Sequence, residues 1–231
     1  MITNGVTIKV GGSSYHSWND FNLAIGNNNY IGAPEVDTHY VDIPGMNGFL
    51  DLSEVIAGRP TYTHRGIKIE FGGKYARDSW DSRISYIRGL FHGKNVQIIF
   101  DNDSSYYYEG RAYIEDFDRF RELGTFTMSI PNAAPFKYAV TPAEDGPYTI
   151  SAGTTKTLYI ETPEICKGPY VIVTEMFTGP LSVVGDNVTH TVTTNGTYYF
   201  PEKAVPGYHY YNFSVTAGNC KVKVSYEAGE L

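Results

Sequence analysis

The chain has 231 residues, with 25 acidic and 18 basic side chains and a formal net charge of −7. This length can bury a substantial core without covalent cross-links, and the lack of any lysine or arginine run argues against binding to phosphate backbones. Aromatic residues make up 15% of the chain, with 20 tyrosines, and tyrosine favours β-strands and contact surfaces. Two cysteines, Cys166 and Cys220, exclude a disulfide scaffold and multi-cysteine zinc patterns. We interpret both as reduced thiols.

The N-terminal segment carries no recognisable targeting signal. Residues 1–5 lack a basic region followed by a long apolar run, and no later apolar run reaches the length needed to cross a bilayer. We therefore expect synthesis in the cytosol and no membrane insertion.

Two tight-turn signals lie close together between the apolar residues of segment 40–54. Pro44-Gly45 suits a type II turn, because proline fixes φ and glycine accepts a positive φ. Asn47-Gly48 suits the central positions of a type I′ hairpin. We predict a sharply reversing β-hairpin at this point.

Strict alternation of apolar and polar residues marks three further segments, 67–71, 96–100 and 126–130. Such alternation is typical of half-buried strands in an antiparallel sandwich or barrel. The apolar positions are Ile67, Ile69, Phe71, Val96, Ile98, Phe100, Phe126, Met128 and Ile130.

One convincing helix is predicted over residues 79–92. Asp78 is a suitable N-cap, and Gly93 is suited to the position that follows the helix. Its apolar stripe should pack against the strands. The stripe contains Trp80, Ile84, Ile87, Leu90 and Phe91.

Residues 101–105 begin like a calcium-binding loop, with oxygen-bearing side chains at alternate positions. An EF-hand loop needs glycine at its sixth position, where this chain has Tyr106. We therefore predict a hairpin turn between two strands, and no metal site.

No motif indicates catalysis or a bound cofactor. The acids Glu109, Glu115, Asp116 and Asp118 could supply a pair of glycosidase carboxylates, but any acidic chain would meet that requirement. The histidines are scattered singly, with no metal-binding spacing and no serine elbow nearby. We predict that the protein is not an enzyme, with a hydrolase as a weak alternative.

Prolines and turn residues interrupt the pattern between residues 131 and 147, which marks a domain boundary. We predict an N-terminal domain over residues 1–135, a linker over 136–147 and a second β-sandwich over 148–231. Eight short strands are predicted in this second domain. They cover residues 148–150, 156–160, 170–175, 181–184, 188–193, 197–200, 208–215 and 221–226.

The second sandwich leaves sugar binding as an alternative function. His209 and Tyr211 could lie on the outer face of their strand, where an aromatic ring can stack on a sugar. Tyr208 and Tyr210 take the opposite face, so a buried central strand is equally consistent with the pattern.

Several separated pieces, in order, resemble the distal tail protein of long-tailed bacterial viruses and prophages. The first is segment 18–23, with Asn22 where glycine is usual, and the second is the proline-glycine hairpin, with Met46 and Asn47 where a charged pair is more usual. Segments 65–71, 90–101 and 106–111 follow at the expected places. The resemblance covers about residues 1–135.

The resemblance implies a structural protein of the virion tail tip, assembled in the bacterial host cytoplasm. Family members form a hexameric baseplate ring that joins the tail tube to the tail-associated hub, fibre or receptor-binding protein and leaves a lumen for DNA. A ring with a galectin-like C-terminal sandwich is therefore expected, without cofactors or sequence-specific nucleic-acid binding. A tail-tube protein is the structural alternative, and a carbohydrate-binding protein used in host recognition is the functional one.

The tyrosine-rich segment after residue 105 is where we look for subunit contacts. Tyr107, Glu109, Arg111 and Tyr113 alternate along one predicted strand. Their exposed side is the candidate interface.

Overall fold

Strands make up most of the chain in the computed structural model, which describes residues 5–55, 58–163, 165–176, 179–185, 188–200 and 207–231. The predicted mainly β fold class is confirmed. The chain divides into two units, of which unit 1 runs to Lys137 and unit 2 spans Tyr138–Glu230.

Unit 1 contains two antiparallel sheets, two helices and a separate hairpin. Helix α1 covers Ser17–Phe21 and α2 covers Trp80–Phe91, and short 3-10 turns cover Arg77–Ser79 and Asp101–Asp103. The strands are β1 (Val6–Val10), β2 (Ser13–His16), β3 (Leu23–Ile25), β4 (Tyr30–Ile31), β5 (Tyr40–Asp42), β6 (Phe49–Asp51), β7 (Arg65–Lys74), β8 (Asn95–Phe100), β9 (Tyr106–Arg111), β10 (Tyr113–Phe120) and β11 (Leu123–Ala133).

The core of unit 1 lies between its two sheets. The first sheet has the strand order β2-β1-β8-β9, and the second has the order β10-β11-β7-β3, with β4 also paired to β7. Because successive side chains of a strand point to opposite faces, each sheet turns one apolar set inward. The predicted alternation is confirmed, since the buried set includes Val96, Ile98, Ile67, Ile69, Phe71, Phe126, Met128 and Ile130.

Helix α2 matches the predicted helix to within a residue at each end. It buries Trp80, Ile84, Ile87 and Phe91, and it stops before Gly93, whose φ is +74°. The predicted N-cap is wrong. Asp78 lies within the preceding 3-10 turn, so the cap position falls to the next residue, which makes no side-chain capping bond.

Helix α1 was not predicted, because its five residues are too few to show a 3.6-residue period. Its signal is instead a local cap. The His16 Nδ1 atom accepts hydrogen bonds from the backbone N–H groups of Trp18 at 3.3 Å and Asn19 at 3.2 Å. Asn22 ends the helix in the left-handed region, with φ of 50°.

Unit 2 is a second pair of antiparallel sheets. One has the order β18-β15-β20, with β13 also paired to β20, and the other has the order β14-β19-β16-β17. Side chains of both sheets form a single buried cluster that includes Val171, Phe213 and Val222. The strands are β13 (Ala143–Ser151), β14 (Thr155–Thr162), β15 (Cys166–Met176), β16 (Leu181–Gly185), β17 (Val188–Val192), β18 (Gly196–Tyr199), β19 (Gly207–Val215) and β20 (Asn219–Glu230).

The segment predicted as a linker is not irregular throughout. It contains strand β12 (Lys137–Ala139) and the start of β13. Pro147 lies within β13, where the pairing with β20 shifts register between Asp145 and Tyr148. A proline is tolerated there because a bulge requires no ladder hydrogen bond from its nitrogen. The domain limits at residues 135 and 148 stay predictions.

Candidate functional site

The candidate site is an exposed hairpin in unit 1, which we call the arm and define as residues 36–55. Strands β5 and β6 pair with each other, with Tyr40 opposite Asp51 and Asp42 opposite Phe49. Among the described residues no third strand joins them. The arm is thus a two-stranded ribbon, a form that is marginally stable on its own in water.

The first turn of the arm agrees with its prediction. The Met46 N–H donates to the Ile43 carbonyl at 3.0 Å, and Gly45 has φ of +87°. These are the features of a type II turn with Pro44 and Gly45 at its centre.

The second turn does not agree with its prediction. A type I′ turn needs a positive φ at both central residues, and among the described residues Gly48 has φ of +87° whereas Asn47 is not in the positive region. The connection between β5 and β6 spans residues 43–48. A loop of this length does not depend on the two-residue turn geometry.

Polar contacts fix the base of the arm. The His39 N–H donates to the Ser53 hydroxyl at 2.8 Å, and the Ser53 N–H and hydroxyl both donate to the Asp51 carboxylate, at 2.9 and 2.5 Å. These hydrogen bonds lower the pKa of Asp51, because they stabilise its charged form. Val36 pairs with Tyr62 in an isolated β-bridge, so the base is held at both sides.

Apolar side chains cover the arm without being buried. All six residues of β5 and β6 are exposed, whereas the long strands β7 and β11 each bury an apolar face. Large exposed apolar residues in one small element indicate a surface that contacts another molecule. The most exposed are Val55 at 69%, Phe49 at 68%, Tyr40 at 59% and Val36 at 49%, and Val41, Ile43, Met46 and Leu50 are exposed by about two fifths.

An open apolar groove of about 440 Å³ lies on the outer face of the second sheet of unit 1. Gly72, Ala24 and Thr125 line it, between the side chains of Trp18 and Leu123. Trp18 is 43% exposed and Leu123 is 56% exposed. Sequence reasoning missed this groove, because its small residues come from three strands that meet only in the folded sheet.

The predicted interface of Tyr107, Glu109, Arg111 and Tyr113 does not form one exposed face. Tyr107 is 3% exposed, which corrects its assignment to an exposed side. The predicted single strand breaks at the buried Ala112, where the chain passes from β9 in the first sheet to β10 in the second. Burial of the tyrosine and this change of sheet could not be read from alternation alone.

The three remaining residues of that set each make a local contact. Glu109 accepts a hydrogen bond from the Asn95 amide at 2.9 Å, Arg111 donates to the Gly93 carbonyl, and the Tyr113 ring lies 5.7 Å from His92. A contact role for Glu109, Arg111 and Tyr113 between subunits stays a prediction.

Several of the acidic residues weighed for chemistry have structural partners. Asp101 accepts from the Gly5 N–H at 2.8 Å and lies 3.1 Å from His16 Nε2, and Glu115 accepts from the Ser129 hydroxyl at 2.7 Å. Within the described ranges, no group of three or more His, Cys, Asp or Glu side chains could hold a metal ion. In the same part of the chain, no helix has the length and apolarity to cross a bilayer.

The structure shows which face of β19 is buried, a choice that the sequence left open for the sugar-binding candidates of unit 2. His209 is 5% exposed and Tyr211 is 1% exposed, because both point into the core between the sheets. Tyr208 and Tyr210 take the outer face of β19, with exposures of 79% and 43%.

Comparison with known proteins identifies the fold. No protein-family model matches the sequence, and no curated protein matches it. The structure is similar to that of the SPP1 Dit protein (gp 19.1), which is described as a paradigm of the hub adsorption apparatus in phages that infect Gram-positive bacteria. The TM-score is 0.55 at 12% identity, over 98% of this chain and 99% of the other.

This likeness defines a class of protein by its fold. The chain shares its mainly β fold with the SPP1 Dit protein along essentially the whole length of both chains. At 12% identity the likeness establishes that fold.

Proposed function

We propose that this protein is a structural subunit of a phage tail tip. It forms a hexameric ring that joins the tail tube to a tail-associated hub, fibre or receptor-binding protein and leaves a lumen for DNA. The fold likeness to a hub protein supports this role over 98% of the chain, and the resemblance of the ordered sequence pieces points to the same class.

The exposed apolar arm is the observation that carries the proposal. Phe49 is 68% exposed and Leu50 is 41% exposed on a ribbon that has no core of its own. Burying such side chains against a neighbour removes apolar surface from water. A permanent subunit contact therefore accounts for side chains that a monomer would keep polar.

The apolar groove supplies a matching surface for that contact. A ring is built from heterologous contacts, in which one patch of each subunit meets a different patch of the next. The arm projects apolar side chains, and the groove is lined by Trp18 and Leu123 together with small residues such as Gly72. In the proposed ring, the arm of one subunit occupies the groove of its neighbour.

The charge of the chain suits a passage for DNA. The formal net charge is −7, from 25 acids and 18 bases. DNA moving through a lumen must not be held by its phosphates, and basic patches are the groups that would hold it. An acidic chain is compatible with this requirement.

Light scattering coupled to size exclusion tests the ring. The wild-type protein should elute at six times its protomer mass of 25.7 kDa, alone or with its tail partners. Phe49→Asp should reduce the mass to that of the protomer, because a carboxylate cannot be buried in an apolar contact. The matched control is Tyr86→Asp, which changes a 54% exposed ring on helix α2, outside the arm, and should leave the mass unchanged.

Two results would contradict the proposal. One is a protomer that stays single at high concentration and in the presence of tail-tube and hub proteins. The other is a Phe49→Asp variant that assembles like the wild type. Long open tubes in electron micrographs would instead favour the tail-tube alternative.

A further inference from the structure

The outer face of the second sheet of unit 2 is an ordered surface that the proposed ring does not use. In this sheet, β14, β19, β16 and β17 lie side by side, and the inward residues Leu158, Tyr211 and Val183 are buried. Strand geometry turns the intervening residues outward. We call this set the tyrosine face: Thr155, Thr157, Tyr159, Glu161, Tyr208, Tyr210, Asn212, Ser214, Ser182, Val184, Thr189 and Thr191.

Three tyrosine rings form one patch at one end of this face. Tyr159 lies directly opposite Tyr210, and Glu161 lies opposite Tyr208. Residues opposite one another on an antiparallel pair have Cβ atoms about 5 Å apart, and diagonal neighbours remain within reach of aromatic rings. Tyr208 is 79% exposed, Tyr159 is 69% exposed and Tyr210 is 43% exposed.

Hydrogen-bonding side chains continue the face beyond the rings. The register places Thr155, Ser214, Ser182 and Thr191 in one row across the four strands, so that each contributes a hydroxyl. In the next row, the Thr157 hydroxyl donates to the Asn212 Oδ1 atom at 2.6 Å. This bond orients the Asn212 amide, and its N–H donors point away from Thr157.

The face is almost uncharged although the chain is acidic. Within the described parts of these four strands, Glu161 is the one outward residue with a charge. An uncharged face exerts little attraction on a polyanion. If an apolar protein surface docked on this face, the row of hydroxyls and the Asn212 amide would be buried without hydrogen-bond partners, which costs free energy.

We propose that the tyrosine face binds a neutral polysaccharide. The C–H surface of a sugar ring stacks on the exposed tyrosine rings. The sugar hydroxyl groups form hydrogen bonds with the two polar rows, which contain Asn212 and Ser214. A flat sheet face accommodates an extended chain of several sugar units along the strands. This binding is independent of ring formation, because it needs only residues of unit 2.

Affinity gel electrophoresis of the full chain tests the proposal. Native gels contain dextran, galactomannan or mixed-linkage β-glucan as the probe, and at least one should retard the wild type. Tyr208→Ala should raise its dissociation constant roughly tenfold, the effect of losing one well-packed aromatic contact. Tyr208→Phe keeps the stacking ring and should retain most of the retardation. Tyr159→Ala removes a second ring of the patch and should also weaken the retardation.

The control is Tyr86→Ala, which removes an exposed ring from helix α2 in unit 1 and should not alter retardation. Circular dichroism should show that the variants fold, since the rings removed are at least half exposed. The proposal is overturned if none of the three polysaccharides retards the wild type, or if Tyr86→Ala weakens retardation as much as Tyr208→Ala. Loss of ring assembly, rather than of retardation, in Tyr208→Ala would assign the face to a protein contact and also overturn it.

Discussion

The two units of this protein expose aromatic residues in opposite chemical settings. In unit 1 the arm pairs Leu50 with Val41 on one face of its ribbon, and on the other face the Phe49 ring lies 6.4 Å from the Tyr40 ring. In unit 2 the rings of Tyr159 and Tyr208 stand beside hydroxyl and amide groups. The first setting favours burial against another protein, and the second favours a ligand that brings its own hydrogen-bonding groups.

Exposure alone therefore does not identify a partner. An aromatic side chain contributes apolar area in both units. The polar groups around it determine whether a protein surface or a hydrogen-bonding ligand can bind there without leaving a polar group unpaired. If these exposed side chains serve a partner, removing them should not reduce the stability of their own unit.

The largest effect is expected from a buried ring used as a benchmark. Trp80 is fully buried, its indole N–H donates to the Glu122 carbonyl at 2.9 Å, and its ring lies 4.8 Å from that of Tyr75. Trp80→Ala should reduce the free energy of unfolding by about 3–5 kcal/mol. Phe49→Ala should change it by less than about 0.5 kcal/mol in dilute protein. Urea denaturation measures both, and equal losses would show that the arm belongs to the core.

The next effect concerns the shape of the arm. Gly48 has φ of +87° with open space around it, so Gly48→Val should cost about 1–2 kcal/mol in the arm from backbone strain alone. Hydrogen exchange of arm amides should report the loosening. Gly89→Ala is the matched control, because Gly89 lies in open space within helix α2, where alanine should stabilise by about 0.5–1 kcal/mol. Unchanged exchange in Gly48→Val would mean that the turn is wrongly described.

A smaller effect should separate the two thiols of unit 2. Cys220 is fully buried, and burial raises the pKa of its thiol. Cys166 is only half-buried and should react first with a thiol reagent at pH 8, whereas Cys220 should react only on unfolding. Because the native pKa is raised, the contribution of Cys220 to stability is present below about pH 8.5 and is lost as the pH rises further. One fast phase for both thiols would contradict the packing of this core.

The smallest effect is expected at the base of the arm. The Ser53 hydrogen bonds lower the pKa of Asp51, so their contribution to local stability is present above the ordinary aspartate pKa of about 3.9 and is lost as the pH falls through the lowered value. The protection of the Ser53 amide, measured relative to the intrinsic exchange rate at each pH, should therefore fall in acid. In Ser53→Ala, which removes the hydroxyl but keeps the backbone N–H, the pKa of the carboxyl should rise towards its ordinary value when followed by NMR. A carboxyl that titrates identically in both proteins would rule out this contact.

Much of the fold was accessible from sequence because its signals are periodic and local. Alternation placed β7, β8 and β11, and the apolar stripe placed α2 to within a residue at each end. Helix α1 was not predicted, because a five-residue helix is too short to show a helical period. The register shift in β13 let Pro147 lie inside a strand, which the pattern alone could not show.

The candidate site was accessible only in part. The turn residues located the hairpin and the positive φ of Gly45, but they did not show that both of its strands are exposed. The segment around Tyr107 was assigned to the surface because alternation cannot tell which face of a strand is covered. The same limit left the faces of β19 undecided, where Tyr211 is buried and Tyr208 is exposed.

A mainly β protein with one long helix and a proline-glycine hairpin could be predicted from the amino-acid sequence, because backbone propensity and side-chain period are properties of short stretches of chain. The packing of the sheets fixes which face of each strand is buried. The tertiary structure also brings Tyr159 beside Tyr210 and sets Gly72 at the bottom of a groove. Such juxtapositions depend on the pairing of strands that are distant in the chain, and no local pattern encodes them.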